Sequence, residues 1–93
     1  MSDRSGPEDA RFDLRGRVIV VTGCTGVLGS AYCTALSRRG ANLVMADTAS
    51  RNPERAAAAL PGSSGSRAFG VACDVGSESD VSALFSFAVH EFG

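Results

Sequence analysis

Short apolar runs alternate with helical segments along this chain, and this alternation constrains its fold more than any other feature. The first run, Val18-Ile19-Val20-Val21, is β-branched throughout, which is typical of a strand buried on both faces of a parallel sheet. Residues 42–46 and 68–73 form two further runs, which end at Asp47 and at Asp74. Parallel strands need helical crossovers, so the sequence predicts an α/β fold in the order β-α-β-α-β-α. This is half of a doubly wound parallel sheet, truncated before a fourth strand.

The segments after the first two runs carry helix signals. The first helix is predicted from about Gly26 to Arg39, and Gly40 ends it. Its apolar positions at helical spacing are Leu28, Ala31, Ala35 and Leu36. Asn52-Pro53-Glu54 opens a second helix with a capping residue, a proline at the first helical position and an early acid.

A third helix is predicted after Ser77, which together with Asp80 resembles a capping box. Its apolar stripe consists of Val81, Leu84, Phe85, Ala88 and Phe92. Residues 1–11 hold no large apolar residue after Met1, so they predict a flexible, solvated tail. Residues 12–93 are left as one partial domain, in which residues 61–66 form a loop.

Composition excludes several classes of protein. With 93 residues, 44% hydrophobic and 20% charged, the chain suits one small globular domain. No apolar run is long enough to span a bilayer. Nine basic and ten acidic residues leave no electrostatic footprint for nucleic acid or a membrane surface. The polar N-terminus is no secretory signal, so we expect a cytoplasmic protein.

The three cysteines, Cys24, Cys33 and Cys73, fit neither a disulfide framework nor a metal site, because no C-x-x-C pair exists. We interpret them as free thiols, and we expect no metal. Cys24 has two interpretations. A nearby helix N-terminus would lower its pKa, or it is simply a small residue that fills a tight loop, which we favour.

The segment Thr22-Gly23-Cys24-Thr25-Gly26-Val27-Leu28-Gly29 joins the first strand to the first helix. Gly23 would turn the chain sharply off the strand, Gly26 would let backbone approach a pyrophosphate, and Gly29 would let the helix pack closely on the sheet. Exposed N–H groups and the helix dipole favour an anion there. The sequence therefore predicts a dinucleotide-binding loop of the Rossmann type. The alternative is an ordinary cluster of turn glycines.

Asp47 lies 18 residues after Gly29, at the end of the second strand. Its carboxylate would accept hydrogen bonds from both ribose hydroxyls of an adenosine and would repel a 2′-phosphate, so the sequence favours NAD over NADP. Arg51 lies nearby and could soften that preference.

These features together resemble the short-chain dehydrogenase/reductase family. The resemblance rests on Phe12-Asp13-Leu14, the Thr22-Gly23 loop, Asp47 and the pair Asp74-Val75, and it extends from about Phe12 to Gly93. It implies that Asp74 meets the adenine amine and that the Val75 N–H meets a ring nitrogen. The expected cofactor-binding residues are Thr22, Gly23, Thr25, Gly26, Val27, Leu28, Gly29, Asp47, Asp74 and Val75.

Two features depart from that family. The loop reads T-G-x-x-G-x-x-G, a spacing more usual in the extended branch of sugar-nucleotide epimerases and dehydratases. The Tyr-x-x-x-Lys pair that the family uses for hydride transfer is missing, because the chain has no lysine and its only tyrosine, Tyr32, is followed at the fourth position by Leu36. We interpret Tyr32 as a packing residue and His90 as a surface or cap residue.

We therefore expect the NAD(H)-binding portion of an oxidoreductase, inactive by itself, whose small-molecule substrate and subunit contacts belong to a longer chain. A shortened gene is the alternative origin. Two alternative functions remain: a non-catalytic dinucleotide-binding or interaction module, and a truncated enzyme of the extended branch.

Overall fold

The computed structural model describes residues 13–60 and 66–93. The predicted tail at residues 1–11, Phe12 and residues 61–65 of the predicted loop lie outside this range. The strands are β1 (Val18–Thr22), β2 (Asn42–Asp47) and β3 (Ala68–Ala72). The helices are α1 (Val27–Arg38), α2 (Pro53–Ala58) and α3 (Glu78–Phe92), and a single 3₁₀ turn, Ala49–Arg51, precedes α2. The predicted order β-α-β-α-β-α is confirmed.

The three strands form one parallel sheet in the order β1-β2-β3. Val20 of β1 lies opposite Val44 of β2, and Val44 in turn lies opposite Phe69 of β3. Among the described strands, β1 thus lies at one edge, β2 in the centre and β3 at the other edge. This is the arrangement expected for half of a doubly wound sheet, and the predicted fold class is confirmed.

The core consists of two apolar layers, one on each face of β2. Leu43 and Met45 point to the face that α1 and α2 cover, where they join Cys24, Cys33, Ala41 and Ala57. Val44 and Ala46 point to the opposite face, where they meet Cys73 and two residues of α3, Leu84 and Ala88. Alternation of side chains along a strand produces this division. β2 is therefore buried on both faces, as the sequence predicts.

β1 is less buried than the sequence predicts. Its central residues are only half-buried, and Val18 is 40% exposed. Within the part of the chain that the structure describes, β1 pairs with β2 alone. Burial on both faces is therefore not found for β1. Its edge position is the one expected of a sheet that stops before a fourth strand, since apolar composition alone does not reveal which strand is central.

The buried face of α1 also differs from the predicted stripe. Cys33 and Ser37 are the buried residues of this helix, and Leu36 is half-buried. Ala31 and Ala35 are exposed, as is Leu28, with 67% of its surface accessible. The helix is turned so that small side chains face the sheet. In α3 the prediction is mostly confirmed, since Leu84 and Ala88 are buried, whereas Phe85 is 53% exposed.

Local signals end and begin the helices as predicted. Gly40 adopts φ +91°, the left-handed region, and the N–H of Ala41 donates to the carbonyl of Leu36 at 3.1 Å. This pattern is a Schellman motif. Asn52 accepts a hydrogen bond from the Arg55 N–H at 3.2 Å and so caps α2, with Pro53 as its first residue.

Gly70, in the middle of β3, permits an unusually close approach of α2. A Cβ atom at this position would overlap the backbone of Pro53 and of Glu54 in the first turn of α2. Glycine inside a strand is often a sign that another backbone lies close to it. At this point the first turn of α2 meets β3 through main-chain atoms.

Candidate functional site

All three strands end at the same edge of the sheet, and their pairing continues into the loops that follow. The N–H of Cys24 donates to the carbonyl of Ala46 at 3.1 Å, and the N–H of Cys73 donates to the carbonyl of Asp47 at 2.8 Å. These two bonds place the glycine loop, Asp47 and the start of the third loop side by side. In an open α/β sheet, ligands bind beyond this carboxyl edge.

The glycine loop (residues 22–29) turns sharply at its beginning and packs tightly at its end. Gly23 adopts φ +67°, a conformation that other residues rarely take, as predicted for the turn. A Cβ at Gly29 would overlap the carbonyl oxygen of Gly23 and lie 3.0 Å from the Cα of Cys24. Gly29 therefore lets α1 pack against the loop itself, whereas we expected it to permit packing against the sheet.

The N-terminus of α1 differs from those of the other two helices. Its N-cap, Gly26, has no side chain to accept a hydrogen bond, and the first turn holds no acidic residue. In contrast, Asn52 caps α2 and Ser77 caps α3, each with at least one acid in the following turn. The first N–H groups of a helix have no partner within it. α1 therefore presents unpaired donors and a positive dipole end at the carboxyl edge.

Asp47 is attached to the glycine loop by two hydrogen bonds. Its Oδ2 accepts from the Thr25 hydroxyl at 2.6 Å and from the Thr25 N–H at 3.0 Å. Its Oδ1 accepts from the N–H of Thr48 at 2.8 Å. The acid at the end of β2 and the loop after β1 thus form one connected unit, although Thr25 and Asp47 are 22 residues apart.

These bonds favour the ionised form of Asp47. The Thr25 hydroxyl contributes most to holding the pKa of the Asp47 carboxyl below its ordinary value, because it donates to the charged form. Partial burial opposes this effect, whereas the N–H groups of Thr25 and Thr48 and the nearby Arg51 add to it. The carboxylate is therefore negatively charged at neutral pH.

Asp74 is held in a different way. Its Oδ1 accepts from the Gly76 N–H at 2.9 Å, and its own N–H donates to Oδ2 of Asp80 at 2.9 Å. The predicted capping box is half confirmed. Ser77 Oγ accepts from the Asp80 N–H at 3.2 Å, but the Asp80 carboxylate binds Asp74. Sequence reasoning missed this role of Asp80, because the box pattern assigned its side chain to Ser77.

The predicted binding residues all lie at or beside this edge. Thr22 ends β1, Val27 and Leu28 begin α1 with largely exposed side chains, and Val75 follows β3 with 64% of its surface exposed. The structure joins Thr25 to Asp47, and Thr48 is a partner of Asp47 that sequence reasoning missed. No sequence signal identifies Thr48, because it takes part through its main-chain N–H.

The remaining candidates are placed as follows. Cys24 is fully buried, and burial raises the pKa of its thiol to about 11. The loop-filling interpretation is therefore correct, and a lowered pKa is wrong. Tyr32 is 58% exposed on α1, so its interpretation as a packing residue is wrong within the described part of the chain. His90 is exposed in the last turn of α3, as expected.

Two features are absent from residues 13–60 and 66–93. Within these ranges no three His, Cys, Asp or Glu side chains come together as a metal site. None of the helices described there is long and apolar enough to cross a membrane.

Comparison with known proteins gives a consistent result. The family model described as short chain dehydrogenase matches residues 17–93. D-threitol dehydrogenase of Mycolicibacterium smegmatis is 35% identical over 91% of this chain and 32% of its own length. Human dehydrogenase/reductase SDR family member 2, mitochondrial, is 38% identical over 91% of this chain and 30% of its own. The chain therefore spans about a third of the length of these curated relatives.

A solved structure is similar as well. It is a short chain dehydrogenase/reductase SDR from Burkholderia phymatum, crystallised in complex with NAD. It superposes with a TM-score of 0.77 and 31% sequence identity, over 87% of this chain and 28% of the crystallised one.

Proposed function

The chain belongs to the short-chain dehydrogenase family, and we propose that residues 12–93 form the part of its Rossmann domain that binds the adenosine diphosphate portion of NAD(H). One observation carries the proposal. The uncapped N-terminus of α1 lies beside a carboxylate that the same loop holds in place. An anion site next to a fixed hydrogen-bond acceptor suits a pyrophosphate joined to a ribose.

The pyrophosphate would be bound by main-chain donors. The N–H groups of Val27, Leu28 and Gly29 open α1, and no acidic side chain competes for them in the first turn of α1. Gly23 and Gly26 keep side chains away from the approach to these groups. The exposed side chains of Val27 and Leu28 add an apolar rim at the same place.

Asp47 would bind the adenosine ribose. A carboxylate offers about four acceptor positions, and Thr25 and Thr48 use three of them, two on Oδ2 and one on Oδ1. The remaining position is on Oδ1, so we infer that one ribose hydroxyl donates there. The expectation that both hydroxyls bind Asp47 is refined accordingly. A 2′-phosphate would be repelled by the same charge, which supports NAD(H) as the cofactor.

Asp74 and Val75 would bind the adenine. Gly76 occupies only the Oδ1 atom of Asp74, which leaves Oδ2 for the exocyclic amine. Val75 is exposed beside it. These roles follow from the family resemblance, and the exposure of both residues supports them.

The hydride chemistry would need residues that this sequence does not contain. When bound, the nicotinamide supplies a hydride acceptor or donor. In this family a tyrosine and a lysine assist the transfer of the substrate proton. The 93 residues include no lysine, and Tyr32 lies on α1. We therefore infer that the chain contributes cofactor binding to an oxidoreductase and does not turn over an alcohol by itself. The dehydrogenase names of the relatives favour this branch over the sugar-nucleotide enzymes.

A titration of the purified chain with NADH and NADPH, followed by calorimetry, tests the proposal. We expect NADH to bind, weakly because the residues named above contact only its adenosine diphosphate portion, and at least about tenfold more tightly than NADPH, since the charge of Asp47 would repel the 2′-phosphate by more than about 1 kcal/mol. Absence of NADH binding by the folded chain would refute the proposal, and tighter binding of NADPH would refute the role of Asp47. Alcohol oxidation by the same sample would refute the inference that it is inactive.

Val27→Glu and Val27→Gln provide a matched pair of variants at the anion site. Val27 is 88% exposed, so neither change disturbs the core. The glutamate would occupy the positive end of α1, stabilising the helix by about 0.3–1 kcal/mol but repelling the pyrophosphate. We expect NADH affinity to fall about tenfold with glutamate and to change little with glutamine. Equal affinities would show that the pyrophosphate lies elsewhere.

A further inference from the structure

Building on the proposed function, we propose that Thr25 is a positioning residue for Asp47 and thereby sets the selectivity for a dinucleotide without a 2′-phosphate. Thr25 holds one carboxylate oxygen against the glycine loop and leaves the other for the ribose. If the proposed cofactor is wrong, the coupling between these two residues can still be measured in the free chain, so the two ideas fail separately.

The geometry supports this role. Thr25 is the long-range partner of Asp47, with two donors on the same oxygen, Oδ2. Thr48 is the next residue in the chain and reaches only Oδ1. Without the Thr25 hydroxyl, Oδ2 would retain a single donor, the Thr25 N–H at 3.0 Å. The carboxylate would then be held by main-chain donors alone, and its direction toward the ribose would be less well defined.

The same contact favours the ionised form of Asp47, whose charge would repel a 2′-phosphate. The hydroxyl bond is the largest cause of the lowered pKa of Asp47. Among the described residues, Arg51 also lowers the pKa of this carboxyl by its charge, and Asp47 in turn raises the pKa of the Cys24 thiol. A substitution at position 25 leaves both Arg51 and Cys24 in place. Because the folded-state pKa is depressed, this bond stabilises the fold above the ordinary pKa of aspartate, and the stabilisation is lost as pH falls through the lowered value.

The test compares Thr25→Val, Thr25→Ser and a control, Thr34→Val. Valine keeps the shape of threonine but removes the hydroxyl, whereas serine retains it. Thr34 lies on α1, and its hydroxyl donates to the carbonyl of Ser30 at 3.1 Å. The control thus loses a threonine hydroxyl that does not touch Asp47.

Two quantities are measured for each variant: the pKa of the Asp47 carboxyl by NMR in the free chain, and the ratio of NADH to NADPH affinity. We expect Thr25→Val to raise the pKa of Asp47 toward its ordinary value and to reduce the affinity ratio by about tenfold, the effect of losing one charged hydrogen bond. Thr25→Ser should restore both quantities, and Thr34→Val should change neither. An Asp47 pKa that does not move in Thr25→Val would overturn the proposal.

If a variant does not fold, the contact between Thr25 and Asp47 can still be tested by a measurement on the chain without substitutions. The amide proton of Thr25 donates to Asp47, so its chemical shift should titrate with the low pKa of that carboxyl. If the chemical shift of the Thr25 amide proton does not change as Asp47 titrates, the hydrogen bond between Thr25 and Asp47 is refuted. If the coupling is seen but no dinucleotide binds, the proposed function is wrong. If NADH binds and its preference over NADPH survives in Thr25→Val, the proposal about Thr25 is wrong.

Discussion

The junction between β1 and α1 and the junction between β3 and α3 lie at the same edge of the sheet but satisfy their polar groups differently. At the third-strand junction, Ser77 caps α3, Asp74 accepts from Gly76, and Asp80 binds the Asp74 N–H. Every one of these bonds joins residues within seven positions of the chain. The junction is closed on itself, with acids already placed in the first turn of its helix.

At the first-strand junction the helix is left open. Gly26 provides no side-chain cap and no acid follows it in the first turn. The negative charge comes instead from Asp47 on a neighbouring strand, held by Thr25. The comparison teaches that a helix N-terminus without a side-chain cap or an acid of its own leaves its first N–H groups available, and that the acid beside it is positioned by another element of the fold.

The largest difference in stability between the two junctions is expected when one glycine of each, Gly29 or Gly76, is replaced by alanine. At Gly29 a Cβ would overlap backbone that cannot move aside, whereas at Gly76 it would meet only the Asp74 carboxylate oxygen, at 3.3 Å. Overpacking costs about 3 kcal/mol at the upper end of its usual range, and alanine regains about 1 kcal/mol as a better helix former. We expect Gly29→Ala to lose about 2 kcal/mol in the free energy of unfolding, together with NADH binding.

Gly76→Ala serves as the control and should stay within about 0.5 kcal/mol. Urea unfolding and NADH titration measure both variants. If Gly29→Ala is as stable as Gly76→Ala, then α1 can move away from the loop with little loss of free energy, and the close packing at Gly29 does not contribute to stability.

An effect of intermediate size, on the affinity for NADH, is expected when the charge of Asp47 or of Asp74 is removed. Asp47→Asn loses a charge and places an amide next to the Thr25 donors, so we expect NADH affinity to fall at least about tenfold. Asp74→Asn should reduce it about threefold or less, because the amide oxygen of asparagine can still accept either from the Gly76 N–H or, in the proposed complex, from the adenine amine. Calorimetric titration of both variants with NADH under the same conditions measures the two losses of affinity. A larger loss for Asp74→Asn would reverse the ranking of the two junctions.

The smallest effect is expected from the cap of the closed junction. Ser77→Ala removes the acceptor for the Asp80 N–H and should cost about 1 kcal/mol of stability. NADH affinity should stay unchanged, since this cap does not extend to the first junction. Thermal unfolding and titration of Ser77→Ala test both statements. A drop in affinity beyond about twofold would show that the two junctions are coupled.

The order of elements, the parallel sheet and the shared carboxyl edge could be predicted from the sequence because each depends on local patterns. β-branched runs mark strands, and Asn52 and Ser77 mark helix starts. The acid at the end of β2 could be predicted as well, from its spacing after the glycine loop. These signals need no knowledge of what packs against them.

The face of α1 and the partner of Asp47 could not be predicted in this way. Which side of a helix is buried depends on its neighbours, and in α1 the small residues Cys33 and Ser37 face the sheet while Leu28 does not. The contact of Thr25 with Asp47 joins residues of two different strand ends. Periodicity contains no information on contacts at that distance along the chain.

The backbone contact at Gly70 has a mechanical consequence for the site. A helix that rests on a sheet through side chains can shift slightly as those side chains change rotamer. At Gly70 the first turn of α2 meets β3 through main-chain atoms, which have no rotamers to exchange, so this contact leaves the start of α2 little room to move toward the sheet. We therefore expect adjustment of this edge around a ligand to come mainly from α1 and its loop, with the start of α2 as the more rigid side.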